Sequence, residues 1–314
     1  MTPPDHMTGR TILLGGAGFL GTAIARDLCD AGQDVLVLDL PDRLTAAAPL
    51  LEGIETRAFA FPALDGLADC LAGADALVPL AWTTTPASSM QDLARDAAQN
   101  IAPSVALFQE AGRAGVGRVI FSSSGGTVYG DPETLPVPEH VAGGALSGYG
   151  VSKLAVENYL ALEARQAGFT GVSLRIGNPY GPFQLRGTAI GVIANYLAQI
   201  HAGRAPEVWG DGTVVRDYIH IRDVAAAMRT ALTAPDLPGG AYNIGSGTGH
   251  SINDIFEAIR RTTGTGLELR HRPARGFDVD TIVLDTGRFR AATGWAPAVD
   301  LETGIAELWD ILTR

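Results

Sequence analysis

Tyr149 and Lys153 open the most chemically suggestive stretch of the chain, Tyr149-Gly-Val-Ser-Lys153. On a helix this spacing puts the phenol and the ammonium on one face. A cation beside a phenol favours the phenolate and draws the phenol pKa toward neutrality, so Tyr149 could act as a general base. Alone, the pair is an ordinary feature of helix surfaces. A second segment, Ser122-Ser123-Ser124-Gly125-Gly126-Thr127-Val128-Tyr129-Gly130, strengthens it. It follows the apolar run at 118–122 and so brings hydroxyls to the carboxyl end of a strand. A hydroxyl, a phenol and an ammonium together can deprotonate an alcohol while polarising its oxygen.

A third group of residues points to a cofactor. Gly15-Gly16-Ala17-Gly18-Phe19-Leu20-Gly21 lies between an apolar run and a helical pattern. Glycines at 15, 18 and 21 permit a tight turn, close approach of a pyrophosphate and close helix–strand packing. The pyrophosphate would rest on the helix N-terminus, where free N–H groups and the dipole favour negative charge. Asp39 ends the next strand, where an acidic residue accepts from the adenosine ribose. Its carboxylate would repel a 2′-phosphate, which favours NAD over NADP. Arg43 is the opposing signal.

These groups need a scaffold. Strands are predicted at 11–14, 34–38, 54–60, 76–80, 118–122 and 171–176, the third being weak. Helices are predicted at 19–31, 64–71, 88–114 and 149–166. Continuous apolar strands alternating with helices predict an α/β Rossmann-type fold, a doubly wound parallel sheet covered on both faces. Beyond it the pattern loosens, with helices near 189–202, 222–234, 252–262 and 301–312 and a strand near 214–221. This predicts a smaller α/β substrate lobe against the carboxyl ends of the sheet. The expected division is a dinucleotide domain at 10–178, a substrate lobe at 179–314 with parts of 214–245 returning to the sheet, and a loose tail at 1–9.

Composition narrows the function classes. The chain is 46% apolar and 18% charged, with a formal net charge of −11. Such acidity opposes binding to nucleic acid or anionic membranes. The two cysteines, Cys29 and Cys70, cannot form a disulfide framework and are expected as buried thiols in a reducing compartment. The polar N-terminus lacks an apolar core, so no signal peptide is expected there, and the predicted location is cytoplasmic. No metal cluster is expected.

In order along the chain, the glycine motif, Asp39, the Ser-rich loop ending in Val128-Tyr129-Gly130, and Tyr149 with Lys153 resemble the extended short-chain dehydrogenases. Within these the likeness is to the NAD-dependent sugar epimerase/dehydratases, over residues 10–312. The resemblance implies NAD as cofactor, a nucleotide sugar (a UDP-sugar first) as substrate, and 4-epimerisation of the UDP-glucose/UDP-galactose type through a 4-keto intermediate. It also implies a homodimer formed by helices 88–114 and 149–166. Related reactions stay open: uronate epimerisation, decarboxylation, 4-keto reduction and dehydration. A non-catalytic cofactor sensor is the rival from another class.

The resemblance further implies roles residue by residue. Gly15, Gly18, Phe19, Leu20, Gly21, Asp39, Leu80, Ala81, Trp82, Asn100, Ser122, Tyr149, Lys153 and Ile176 would line the cofactor. Tyr149 would be the base, Lys153 its partner, and Ser124 or Thr127 the assisting hydroxyl. The loop carries one residue more than the family pattern, so the usual hydroxyl position falls on Gly125. Ser124, Tyr149, Asn178, Arg216, Arg275 and Asp278 would meet the substrate, the arginines by pairing with its diphosphate. Gly125-Gly126 lacks the acidic pair of a dehydratase. The third strand ends in Ala60-Phe61, without the Asp that commonly meets adenine.

Overall fold

The computed structural model describes residues 9–141, 143–184, 191–273 and 279–314. The first half runs β1 (Arg10–Leu14), α1 (Phe19–Asp30), β2 (Val35–Asp39), α2 (Pro41–Ala47), β3 (Glu55–Ala58), α3 (Leu67–Leu71), β4 (Ala74–Pro79), α4 (Pro86–Ser89), α5 (Leu93–Arg113), β5 (Arg118–Ser124), α6 (Gly148–Ala167) and β6 (Thr170–Ile176). The second half runs β7 (Asn178–Tyr180), α7 (Val192–His201), β8 (Glu207–Trp209), β9 (Val215–His220), α8 (Ile221–Thr233), β10 (Gly240–Ile244), β11 (Gly249–Ser251), α9 (Ile252–Thr263), β12 (Arg270–Arg272), β13 (Thr281–Ile282), α10 (Gly287–Thr293) and α11 (Leu301–Thr313).

Seven strands form one parallel sheet in the order β10-β6-β5-β4-β1-β2-β3. The chain leaves β1 in one direction along the sheet and restarts at β4 in the other. Their carboxyl ends therefore flank a crevice, the place where such sheets bind ligands. Both faces of the strands are buried. Leu13 and Val37 face a core built with Ile24, Leu28, Val224 and Met228. Ile12 and Leu14 face another with Leu107, Phe108, Val156 and Leu160. Two-sided burial is why these strands read as unbroken apolar runs. β3 is the exception: all its residues are exposed, and Glu55 pairs with Arg10 at 2.8 Å along the sheet edge.

The helix predicted at 88–114 is two helices. Thr85 caps α4 by accepting from Ser88 N, and Asp92 caps α5 by accepting from Arg95 N. Two N-caps seven residues apart impose a break. Cys70 is buried as expected, but Cys29 is only half-buried, at the solvent end of α1.

A second layer joins the sheet at Ile176. β7 continues from β6 and pairs with β9, which also pairs with β11 and β13. Tyr180, Ile193, Leu197, Ile255, Ile259 and Leu308 pack a core of their own between α7, α9 and α11. Asp217, 1% exposed, ties β9 to its neighbours by accepting from Ser246 N, Ser246 Oγ, Gly247 N and Leu284 N at 2.7–3.1 Å.

Candidate active site

The glycines of the first loop have different physical reasons. Gly15 has φ 86°, and a Cβ there would lie 2.4 Å from Ala81 N. Leu80 N and Ala81 N both donate to Leu14 O, at 2.7 and 2.9 Å, so the segment after β4 is pressed against the loop after β1. At Gly21 a Cβ would lie 2.4 Å from Gly16 Cα, which fixes α1 close under its own loop. Gly18 is required by neither backbone nor packing. Its φ is −80°, and a Cβ would meet only Gly15 O at 3.6 Å. It is the N-cap of α1 and makes no side-chain cap. Bare backbone beside the unspent N–H groups of Phe19, Leu20 and Gly21 fits a pyrophosphate.

Asp39 is buried at the end of β2. One carboxylate oxygen accepts from Ala17 N at 3.0 Å and the other from Leu40 N at 2.8 Å. Each oxygen keeps a lone pair for a ribose hydroxyl. A 2′-phosphate would meet this carboxylate, and Arg43, exposed on α2, makes no contact with it.

Tyr149 and Lys153 sit in the first turns of α6, capped by Ser147, whose hydroxyl accepts from Gly150 N at 3.2 Å. Lys153 is almost fully buried. Its Nζ donates to Ser122 O at 2.8 Å and lies 3.7 Å from the centroid of the Trp82 ring. The Tyr149 ring centroid is farther, at 5.4 Å. The expected lowering of the phenol is reversed. Burial pushes Tyr149 up to about 12, with the charge of Asp96 adding to it. Burial instead pulls Lys153 down to about 7, opposed by Glu157 and Asp96. Spacing put the two groups on one face, but the ammonium is engaged by Ser122 O and Trp82 rather than by the phenol.

The Ser-rich segment divides its hydroxyls. Ser122 Oγ donates to Pro79 O at 3.0 Å, and Ser123 Oγ donates to Glu157. Ser124 ends β5 half-buried, and its hydroxyl has no hydrogen-bond partner among the described residues. Thr127 Oγ1 is enclosed with no partner among the described residues. The Thr127 carbonyl backs directly on Gly150, where a Cβ would come within 2.4 Å of it. At Gly125 a Cβ would lie 2.5 Å from Leu284 Cδ1 and 3.0 Å from Arg175 O, so a side chain there would have to displace Leu284 and the backbone behind it. Beneath this loop Arg175 grips both oxygens of Glu157, donates to Tyr129 Oη at 2.8 Å, and Tyr129 donates to Asn243 at 2.6 Å.

Ile176 stands opposite Ser124 in the sheet, and its carbonyl accepts from Gly125 N at 2.8 Å. Asn178 opens β7 on the other side of the loop, its Oδ1 3.0 Å from where a Gly126 Cβ would sit. Arg216 lies on β9, two residues before Asn178's partner Tyr218, and donates to Val215 O at 2.8 Å. Asn100 is fully buried. Its amide serves Thr83, Thr84 and Asp96, so it holds the loop after β4 rather than offering a group to a ligand. Arg275 and Asp278 lie outside the described residues. A cavity of about 740 Å³ between α9 and α11 is lined in part by Tyr218 but by none of the predicted site residues. Its charged walls are occupied, Arg261 by Glu302 and Asp254 and Asp300 by helix caps.

Residues 11–245 match the family described as the NAD dependent epimerase/dehydratase family. The chain belongs to that family. It is 32% identical over 305 residues to a UDP-glucose 4-epimerase of Mycolicibacterium smegmatis, covering 95% of this chain and 96% of that protein. It is 30% identical to the crystal structure of a UDP-glucose 4-epimerase with UDP-glucose from Thermotoga maritima, at a TM-score of 0.88 over 97% of this chain and 98% of that one. A UDP-glucose 4-epimerase of Thermus thermophilus in complex with NAD gives 30% identity and a TM-score of 0.86, over 97% and 99% of the two chains.

The epimerase/dehydratase family match spans the glycine loop, Asp39, the Ser-rich loop and the Tyr149–Lys153 turn. Two features around them escaped sequence reasoning. One was legible: Lys153 is the sole lysine among 23 Lys and Arg residues. A chain that uses Arg for every other cation keeps Lys only where a compact, titratable ammonium is needed. The other, the buried carboxylate of Asp96 behind the Tyr149 turn, carries no local signal.

Proposed function

We propose that this chain catalyses NAD-dependent 4-epimerisation of a UDP-sugar, of the UDP-glucose/UDP-galactose type, through a 4-keto intermediate. The observation that carries the reading is the convergence on one crevice of the bare Gly18 N-cap, Tyr149, Lys153 and the half-buried hydroxyl of Ser124. Gly15, Gly18, Phe19, Leu20, Gly21 and Asp39 would hold the pyrophosphate and adenosine of NAD, with Leu80, Ala81, Trp82, Ser122 and Ile176 along its nicotinamide half. When bound, NAD takes up and returns a hydride and brings a positive charge that favours the phenolate.

Tyr149 then removes the proton from the sugar 4-hydroxyl and later returns it. Lys153 supports that transfer as the neighbouring cation. Ser124, at the end of β5, polarises the same oxygen. Thr127, whose Oγ1 is enclosed, is the second candidate for that role. Asn178 and Arg216 bind the diphosphate, joined by Arg275, while Asp278 accepts from the nucleotide ribose. Gly125-Gly126 lacks the acid that dehydration needs. The lobes divide as 10–178 and 179–314, with α8 and β10 completing the first. Leu93, Val151, Tyr159 and Leu162, exposed on α5 and α6, support a homodimer through these helices. Among the described residues no helix is long and apolar enough to cross a membrane; we place the enzyme in the cytoplasm.

Incubation with UDP-, dTDP- and GDP-sugars, followed by chromatography, tests the reading. A UDP-hexose should convert to its 4-epimer, and Tyr149→Phe should abolish conversion. Full turnover by Tyr149→Phe, or no conversion of any sugar by the wild type, would overturn it.

A further inference from the structure

Asp96 is a buried carboxylate that the mechanism above does not use. It is 1% exposed, on the first turn of α5. Its Oδ2 accepts from Ser152 Oγ at 2.5 Å, and Ser152 lies between Tyr149 and Lys153 on α6. Its Oδ1 accepts from Thr84 Oγ1, and from Asn100 Nδ2 at 3.1 Å. Thr84 follows the segment that lays Trp82 over the Lys153 ammonium. One carboxylate thus ties three elements together: α5, the catalytic turn of α6 and the loop after β4.

The donors to Asp96 are all neutral. An ionised carboxylate buried without a cation is costly, so a charge kept there needs a counter-charge nearby. The groups around it are few. Arg95, beside it on α5, is exposed to solvent. The loop Leu80-Ala-Trp-Thr-Thr-Thr85 and α4 carry no charged residue, and Arg118 of β5 is spent on carbonyls at the end of α8. On α6, Glu157 is claimed by Arg175 at 2.8 Å. Among the described residues Lys153 remains as the cation and Tyr149 as the facing phenol. Asp96 acts electrostatically on both.

We propose that Asp96 is a positioning residue of the reaction: it pins the Trp82 loop to the turn carrying Tyr149 and Lys153, and, beside the Arg175-paired Glu157, it supplies part of the counter-charge that holds Lys153 as a cation. The proposal rests on the reading of Lys153 as the cation of the active site. The sole lysine makes it measurable without substrate or cofactor. Protein grown with lysine labelled with ¹³C at Cε gives one side-chain resonance, whose midpoint is read by pH titration. Asp96→Asn keeps the shape and removes the charge. Its Lys153 midpoint should fall by about one pH unit or more below the wild type. A merely structural role would leave the midpoint in place, and an unchanged midpoint would overturn the proposal. Should Asp96→Asn not fold, Asp96→Ser removes the charge with a smaller side chain that keeps a hydrogen-bonding oxygen. The midpoint must then fall too, and a fixed value overturns the proposal. Failure of the functional reading is distinguishable, since it appears as absent sugar conversion by the wild type whatever the lysine does.

Discussion

The Lys153 ammonium lies 3.7 Å from the centroid of the Trp82 ring while donating to Ser122 O at 2.8 Å. The indole face and one carbonyl replace the water that burial has removed. A desolvated cation–π contact is worth about 2 kcal/mol, and that energy belongs to the charged form alone. Trp82→Leu should therefore lower the Lys153 midpoint by about 1.5 pH units. Trp82→Phe, which keeps a smaller ring, should lower it less. Titration of the single labelled lysine checks both, and equal midpoints in all three proteins would show that the indole contributes nothing to the charge state.

Gly18 separates ligand need from fold need. No Cβ clash and no positive φ hold it as glycine. Gly18→Ala should leave stability within about 1 kcal/mol of the wild type, the usual scale of an N-cap change. NAD affinity, measured by calorimetry, should drop at least about tenfold, because a methyl group would stand where the pyrophosphate approaches. Gly15→Ala should instead lower the melting temperature outright, since its Cβ meets the Ala81 backbone.

The hydroxyl that assists Tyr149 can be assigned by two variants. Ser124→Ala should cut kcat by about 10²-fold or more, as loss of one preorganised donor does. Thr127→Val should keep kcat within a few-fold of the wild type. It should also leave stability unchanged or slightly raised, because it removes an enclosed hydroxyl that has no partner among the described residues. Steady-state kinetics beside urea unfolding reads both effects. A larger loss of kcat in Thr127→Val would reassign the role.

The parts legible in the sequence were those set by local spacing or by two-sided burial. The Gly15–Gly21 motif, Asp39 and the Tyr149–Lys153 pair need only a strand, a turn and a helix in register. The sheet strands announced themselves because both of their faces meet apolar cores. β3 read weakly because it is an exposed edge. The second lobe was the least readable. Its β7, β8, β11, β12 and β13 are two or three residues long and exist through pairing with distant strands. Spacing also named Tyr149's neighbour without its burial, so the direction of its pKa came out reversed. Asp96 stayed hidden because its meaning depends on Ser152 and Thr84, which reach it only in the folded chain.

His220 makes stability depend on mild acid. It is 1% exposed at the N-cap of α8, where Nδ1 accepts from Arg222 N at 3.3 Å. Burial first, and then the Arg222 charge, pull its pKa from 6.5 to about 4. Glu307 lies 3.4 Å from Nε2 but is held closer by Arg222, at 2.6 Å, so it does not restore the proton's affinity. Between pH 6.5 and about 4 the unfolded chain binds a proton that the folded chain refuses. Stability is therefore full above 6.5 and declines as pH falls through this window, by about 3 kcal/mol at the lower end. His220→Asn keeps an oxygen able to cap Arg222 N and removes the titration. Urea unfolding of both proteins across this window should show a shallower decline in the variant, and parallel curves would refute the assignment of this acid sensitivity to His220.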